Sequence, residues 1–288
     1  MTVVGHKRVL MMFKLNFAPH LGFPTPATPL FSALAASVDP VDQMRFAAAN
    51  GFRAVQDPFA CERTPEEQAR IGEAAAELSL TMGCFVFAPL AEALTPMWTS
   101  IAPENRAKLS QALEAAMAVA ERNTSRHIAV FTGLDPDRPA SEQRRAMVEN
   151  LAWAGEIAAA RDFKICIEPV NARRLPNMLL NHIADGIEVA RDAANSSVRL
   201  IFDFAHVQAM DGDILYHLDQ AWEMIEIVQI ADNPDRVEPC AGELNFVRLI
   251  DELVARNFSG LCELEHRWSS AEPQVQSDYL AWLERWRA

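Results

Sequence analysis

The stretch VRLIFDFAHVQAMDGDILYHLDQAWEMIEIVQIAD, residues 198–232, carries the reading of the fold in a single repeat. Its first seven residues are apolar except for Arg199 and Asp203, and they are rich in β-branched and aromatic side chains, as a buried strand requires. Ile214, Leu215, Leu218, Ala221, Trp222 and Ile225 then recur at helical spacing and give one apolar stripe to lay on a sheet. A second strand-like run, IEIVQIAD (225–232), closes the unit. Strand, crossover helix, strand is the building unit of a parallel sheet. The stretch also raises a chemical question. A strand buried on both faces has no use for a carboxylate such as Asp203 near its end, with His206 three positions on.

The same rhythm runs along the chain. Strand-like runs occur at 9–17 (VLMMFKLNF), 52–58 (FRAVQDP), 80–88 (LTMGCFVFA), 126–133 (RHIAVFTG), 163–170 (FKICIEPV), 198–204, 225–232 and 260–266 (GLCELEH), eight in all. Between them lie Ala-, Glu-, Leu- and Arg-rich segments such as PEEQARIGEAAAELS and ENRAKLSQALEAAMAVAERN, and VQSDYLAWLERWRA ends the chain. Eight βα units without a composition break predict an α/β fold, a single (β/α)8 TIM barrel over residues 1–288. A doubly wound sheet is disfavoured, because no glycine-rich phosphate turn follows the first strand and glycine is scarce throughout. The irregular, Pro-rich segment 18–40 is expected to lie on the active-site face as a lid or substrate wall.

Composition narrows the function. Half of the 288 residues are hydrophobic, enough for a sizeable core. Lys and Arg number 26 against 39 Asp and Glu, a net charge of −13, which argues against nucleic acid and anionic membranes as partners. Five cysteines, an odd number without CxxC spacing, read as reduced thiols. The N-terminal apolar run is broken by Lys14 and lacks a cleavage pattern, and no apolar stretch approaches the ~18 residues of a membrane span. The expectation is a soluble, cytoplasmic protein; its oligomeric state, a homo-oligomer included, stays open.

Barrel active sites are built at the C-terminal ends of strands. There the fifth strand carries Glu168, the sixth Asp203, the seventh Gln229 and the eighth Glu265. Side chains alternate along a strand, so parity places Glu168 on the face of Cys166, Asp203 with Ile201, Gln229 with Ile227 and Glu265 with Glu263. Three carboxylates and an amide converging on the barrel mouth would repel one another without a cation between them. An all-oxygen set suits a hard divalent ion, Mg2+ or Mn2+. Arg173 and Arg174 follow the fifth strand and Arg236 the seventh, where a guanidinium is a natural clamp for an anionic substrate. Glu263 is inward but one layer deeper and needs a partner, for which Lys14 on the first strand is a candidate.

In IEPVNARRLPN (167–177), LIFDFAHVQAMDGD (200–213), IVQIADNPDRVEPCAGELN (227–245) and GLCELEH (260–266), the chain resembles the hydroxypyruvate isomerase family of the xylose isomerase-like barrels. The spacing between the blocks also matches, so the resemblance is strong over about 160–268 and diffuse before that, through AAANGFRAVQ (47–56) and the βα rhythm. It implies that Glu168 and Glu265 act as a proton donor and acceptor pair. It also implies that these two, with Asp203 and Gln229, bind a divalent metal. Similarity to the sugar epimerases implies that His206 and Arg236 touch substrate oxygens; Arg173, by its place in the loop after the fifth strand, is a further candidate for holding the distal hydroxyl or carboxylate. Three departures bear on the substrate: the family's PGTGE reads PCAGE here (239–243), position 56 is Gln where Glu is usual, and the 18–40 loop is unlike the usual one.

The function implied is metal-dependent isomerisation of a small hydroxy-carbonyl acid or sugar through an enediolate. The alternatives are a keto-sugar 3-epimerase with the same site, a metal-dependent dehydratase or aldolase, and a non-catalytic sugar-acid-binding barrel. The endonucleases of this fold need several histidine ligands and a basic face, which this sequence lacks.

Overall fold

The computed structural model describes residues 12–288. Its strands are β1 (Asn16–Pro19), β2 (Ala54–Val55), β3 (Thr81–Met82), β4 (Phe85–Val86), β5 (His127–Val130), β6 (Lys164–Ile167), β7 (Val198–Asp203), β8 (Ile225–Gln229) and β9 (Leu261–Leu264). Seven of them form one parallel sheet in the order β1-β9-β8-β7-β6-β5-β4, and β2 pairs in parallel with β3. A bridge between His20 and Gln56 continues β1 onto β2, with Gln56 N–H donating to Pro19 O (3.0 Å) and Leu21 N–H to Gln56 O (2.7 Å). The wall is therefore continuous, the TIM barrel expected from the repeat. The first strand begins later than the run 9–17 suggests; residues 9–11 of that run lie outside the described residues.

One expected strand is two. The run 80–88 breaks at Gly83–Cys84 into β3 and β4, and the cause is a side chain from the other side of the barrel. Cys84 N–H donates not to a neighbouring strand but to Glu263 Oε1 (2.7 Å). A Cβ on residue 83 would stand 2.5 Å from the same oxygen, so only glycine lets the carboxylate in.

Inside the barrel, Ala18, Ala54, Cys84, Ala129, Cys166, Ile201, Ile227 and Leu261 pack as a cluster separate from the main core. These residues come from eight successive segments of the wall, as a closed barrel demands. Barrel interiors are usually filled by bulky branched side chains. Here Ala18, Ala54, Cys84, Ala129 and Cys166 keep the layer small, which leaves room for Glu263 among them. The larger core lies between sheet and helices, with Phe17, Trp98, Phe202 and Phe246 almost fully buried.

Helix starts follow ordinary capping chemistry. Thr64 accepts from Glu67 N–H ahead of the helix Pro65–Leu78, and Asp39 accepts from Val41 N–H and Asp42 N–H ahead of Pro40–Ala49. No helix of the described residues is long and apolar enough to cross a membrane.

At the N-terminal end of the barrel, Glu226 on β8 sits 3.3 Å from His127 Nε2 and accepts from Arg199 Nε (3.2 Å). The bond to His127, then Arg199 and Lys164, hold its carboxyl below the usual range against partial burial. A depressed carboxylate stabilises the fold above its unfolded pKa, and that stability is lost as pH falls through the folded value. Glu226→Gln is therefore expected to lower the melting temperature at pH 6–7, with the gap to wild type closing as pH drops below about 4.5. Thermal denaturation of both proteins across that range checks it.

Candidate active site

Asp203, the last residue of β7, caps the following helix Phe204–Met210: its Oδ1 accepts from Ala205 N–H (2.8 Å) and His206 N–H (3.0 Å). The strand thus ends at Asp203, one residue short of the run 198–204, residues 204–210 are helical, and the cap aims Asp203 Oδ2 into the barrel mouth. Arg236 Nη2 meets that oxygen at 2.8 Å and also pairs with Glu265 Oε2. One guanidinium thus spans two of the carboxylates, itself 4% exposed. Burial pushes Asp203 up, but Arg236, His206 and the helix N–H groups outweigh it, and the net direction is down.

Glu265 is held from the other side as well. Its Oε1 accepts from Gln56 Nε2 (2.9 Å) and Gln229 Nε2 (3.4 Å). Gln229 Nε2 donates also to Glu263 Oε2 (3.1 Å), so both amide hydrogens face acids and Oε1 is left buried without a partner. Glu263 takes further bonds from Cys84 N–H and Cys84 Sγ (3.1 Å). Burial pushes its carboxyl up to about 8, partly offset by these donors. Lys14 is not its partner: that side chain is exposed and lines a groove with Asn16, Arg53 and Asn257. Lys14 precedes β1 and lies four residues before Ala18, the residue paired with Glu263, so at about 3.3 Å per residue it stands roughly 13 Å below that layer, toward the N-terminal end of the barrel.

Glu168, just past β6, is buried yet its carboxylate makes no hydrogen bond among the described residues. His206 Nε2 lies 3.6 Å from Oε1. Burial, then the charges of Glu265 and Asp203, drive its pKa well above the usual carboxylate range. Glu265 is raised by burial too, with Arg236 opposing. Carboxylates pushed in opposite directions by their surroundings are what acid–base chemistry needs: Asp203 stays ionised while Glu168 becomes a strong base.

His206 is fixed by Asn171, whose backbone N–H donates to Nδ1 (3.2 Å), with the side-chain amide 2.7 Å away. Burial holds its pKa near 4, so the ring is neutral and its one proton sits on Nε2, toward the carboxylates. That makes His206 a hydrogen-bond donor to a bound oxygen.

The loop carrying Arg236 is organised by Asp232, whose carboxylate accepts from the N–H groups of Asn233, Cys240, Gly242 and Leu244 at 2.9–3.0 Å. Backbone groups do this work, so the PCAGE departure leaves the frame intact. Gly242 must stay, since a Cβ there would stand 2.0 Å from Asn233 O. Cys240 adopts φ 75°, a left-handed conformation that costs a non-glycine residue about 1 kcal/mol.

The two arginines after the fifth predicted strand separate. Arg174 lines the cavity that contains Glu168, His206, Arg236 and Glu265, while Arg173 lines only a neighbouring one with Gln208 and Glu243. Gln56 and Asn171 complete the constellation; applying the strand-end rule to the second strand points to Gln56, and Asn171 stands within the block 167–177.

A divalent metal fits these residues. Glu168 and Asp203 each bring one ligand atom within 4.8 Å of the other, Glu168 makes no hydrogen bond among the described residues, and Gln229 Oε1 is a buried acceptor without a partner among them. Asp203 and Glu265 each share one oxygen with Arg236, so part of the compensating charge is the protein's own.

Residues 44–286 match the family model described as a xylose isomerase-like TIM barrel. Among curated proteins, the 2-oxo-tetronate isomerase of Cupriavidus necator is 31% identical over 229 residues, covering 79% of this chain and 86% of that one. The hydroxypyruvate isomerase of Escherichia coli is 27% identical over 187 residues, 64% of this chain and 70% of that one. Among solved structures, one titled AP endonuclease, family 2, from Brucella melitensis superposes with a TM-score of 0.79 at 23% identity, covering 95% of this chain and all of that one; this likeness is one of fold alone.

Proposed function

Because the chain belongs to the xylose isomerase-like TIM-barrel family, we propose that it is an isomerase of a small sugar acid, of the hydroxypyruvate or 2-oxo-tetronate type, working through two glutamates. The observation that carries this reading is Glu168: a buried carboxylate with no hydrogen bond among the described residues, facing Glu265 and Arg236 across one cavity with Asp203 close by.

In a 2-oxo-3-hydroxy acid, isomerisation removes the proton from the hydroxyl-bearing carbon and delivers one to the former carbonyl carbon. Glu168 takes the first proton, and its raised pKa makes it the stronger base. Glu265, positioned by Gln56, Gln229 and Arg236, exchanges a proton at the neighbouring carbon. His206 Nε2–H and the Arg236 guanidinium donate to the two substrate oxygens, where charge accumulates in the enediolate. Arg174 and Arg267 at the cavity rim attract the carboxylate. A divalent ion, Mg2+ or Mn2+, held by Glu168, Asp203, Gln229 and Glu265, supplies Lewis-acid stabilisation when bound.

The test is isomerisation of hydroxypyruvate and 2-oxo-tetronate followed by NMR. Turnover of either acid is expected with Mg2+ or Mn2+ present. Conversion of ketohexoses instead would replace this reading with the 3-epimerase. After chelation, activity is expected to fall at least tenfold, and Mn2+ added back is expected to raise the melting temperature as well as the rate. Full turnover by the chelated protein would leave Arg236 as the only cation the reaction needs.

A further inference from the structure

We propose that the substrate carries an apolar substituent, aryl or branched alkyl, on the end remote from its carboxylate, in place of a polyhydroxylated chain. The inference rests on the reading of Glu168 and Glu265 as the proton-transfer pair and specifies what that pair acts on.

The cavity over the two glutamates, about 260 Å3, is divided by chemistry. Its polar groups, Glu168, Arg174, His206, Arg236, Glu265 and Arg267, all belong to β6–β9 and the segments that follow them. The opposite wall is apolar. Phe23 and Pro24 come from the segment after β1, Pro58 and Phe59 from that after β2, and Val86 and Leu90 from β4 and the short helix behind it. Phe131, after β5, continues it, and Val170 and Leu175, after β6, carry the apolar surface round to the polar side.

An aromatic wall alone would not exclude a sugar chain, whose C–H faces stack on rings while its hydroxyls find partners around the edge. This wall offers few such partners. Its two prolines have no N–H. The backbone N–H of Phe23 is spent on Thr28 O, that of Val86 on Pro58 O and that of Val170 on Leu180 O. Leu175 N–H goes to Asn171 O and Leu90 N–H to Glu62 Oε1. A hydroxyl pressed against these residues would find few free N–H donors in place of water, whereas an alkyl or aryl group would be desolvated favourably.

Size agrees. The cavity has room for roughly nine waters at about 30 Å3 each, more than a three-carbon acid displaces. The placement is also continuous with the chemistry. The Phe23 ring lies 5.3 Å from the Arg236 guanidinium carbon and nearly parallel to Phe59, 12° apart, so the apolar surface begins beside the reacting carbons. For a 2-oxo-3-hydroxy acid R–CH(OH)–CO–COO−, the product is R–CO–CH(OH)–COO−. One proton leaves C3 and one arrives at C2, the hydroxyl proton passes from the C3 oxygen to the C2 oxygen, there is no net oxidation, and R occupies the apolar wall throughout.

The experiment compares kcat/KM for two such acids, with R as isopropyl and R as hydroxymethyl (2-oxo-tetronate), using the metal-loaded enzyme. Each buried methylene is worth roughly fourfold, so the isopropyl acid is expected to be favoured at least tenfold. Leu90→Asn, which places an amide in the half-buried wall, is expected to narrow that ratio severalfold. Equal or better use of the hydroxymethyl acid overturns the inference and leaves the isomerase reading standing. If neither acid is turned over, the isomerase reading fails. Calorimetric binding of 3-phenyllactate against glycerate then decides the apolar end by itself: tighter 3-phenyllactate supports it, and equal or weaker binding rejects it.

Discussion

Glu168→Gln is expected to lower turnover by two to four orders of magnitude while leaving the barrel folded and, without metal, more heat-stable than wild type. The kinetic part follows from removing a general base whose proton transfer is worth about 10²–10⁴ in rate. The stability part follows from the same environment. Glu168 is buried without a hydrogen bond and its pKa is raised by burial and by Glu265 and Asp203. A raised carboxyl favours the fold at low pH and costs it stability as pH climbs past the unfolded value. A neutral amide of the same shape escapes that cost, so the gain is expected to grow between pH 5 and 8. Stability surrendered at a catalytic group is the familiar trade of active sites. Glu265→Gln is expected to lose activity similarly but without the stability gain, because it breaks the contact to Arg236 and leaves that guanidinium with Asp203 alone. Steady-state rates and melting curves on both variants check the contrast.

Glu263→Gln is the second large effect. Full burial pushes the carboxyl up to about 8, against about 4.5 for an exposed glutamate. Between those values the folded metal-free protein holds a proton that the unfolded chain has released, so stability falls with rising pH at up to about 1.4 kcal/mol per unit. Over pH 5 to 8 that amounts to about 4 kcal/mol, and the glutamine variant is expected to lose most of the slope. Denaturant titrations at the two ends of the range would show it, and parallel profiles for wild type and variant would contradict it. The gain has a functional cost. An amide nitrogen at the position of Glu263 Oε2 would face Gln229 Nε2, donor against donor. Gln229 must then turn over and present N–H instead of Oε1 to the cavity, so weaker metal affinity is expected alongside higher stability.

Alternation along strands reaches far in this chain. Asp203, Gln229 and Glu265 converge as parity places them, because a buried parallel strand has no freedom to turn a side chain to its other face. Glu168, Arg236 and His206 join them for the same topological reason: each follows the C-terminal end of a strand. The features that escape sequence are long-range or aperiodic. The break at Gly83–Cys84 is imposed by Glu263, almost two hundred positions away in the chain, and no local pattern announces it. Lys14 is a plausible partner for Glu263 only until the register of β1 against β9 is known, which sets Ala18, four residues on, opposite Glu263. Which of Arg173 and Arg174 enters the cavity depends on a loop bond, Arg174 N–H to Asn171 Oδ1 at 2.9 Å, and loops have no period to read. The apolar wall is assembled from five different strands and the segments after them, so its residues look like scattered hydrophobes until the barrel closes.

The central claim is that two glutamates move a proton between adjacent carbons of a hydroxy acid, and isomerisation in D2O tests it most directly. NMR of the product formed by the metal-loaded enzyme from a small sugar acid such as 2-oxo-tetronate is predicted to show solvent deuterium at the carbon that gains a proton, and Glu168→Gln is predicted to form neither product nor label. Product formed at the wild-type rate without deuterium, or label incorporated undiminished by Glu168→Gln, would contradict it.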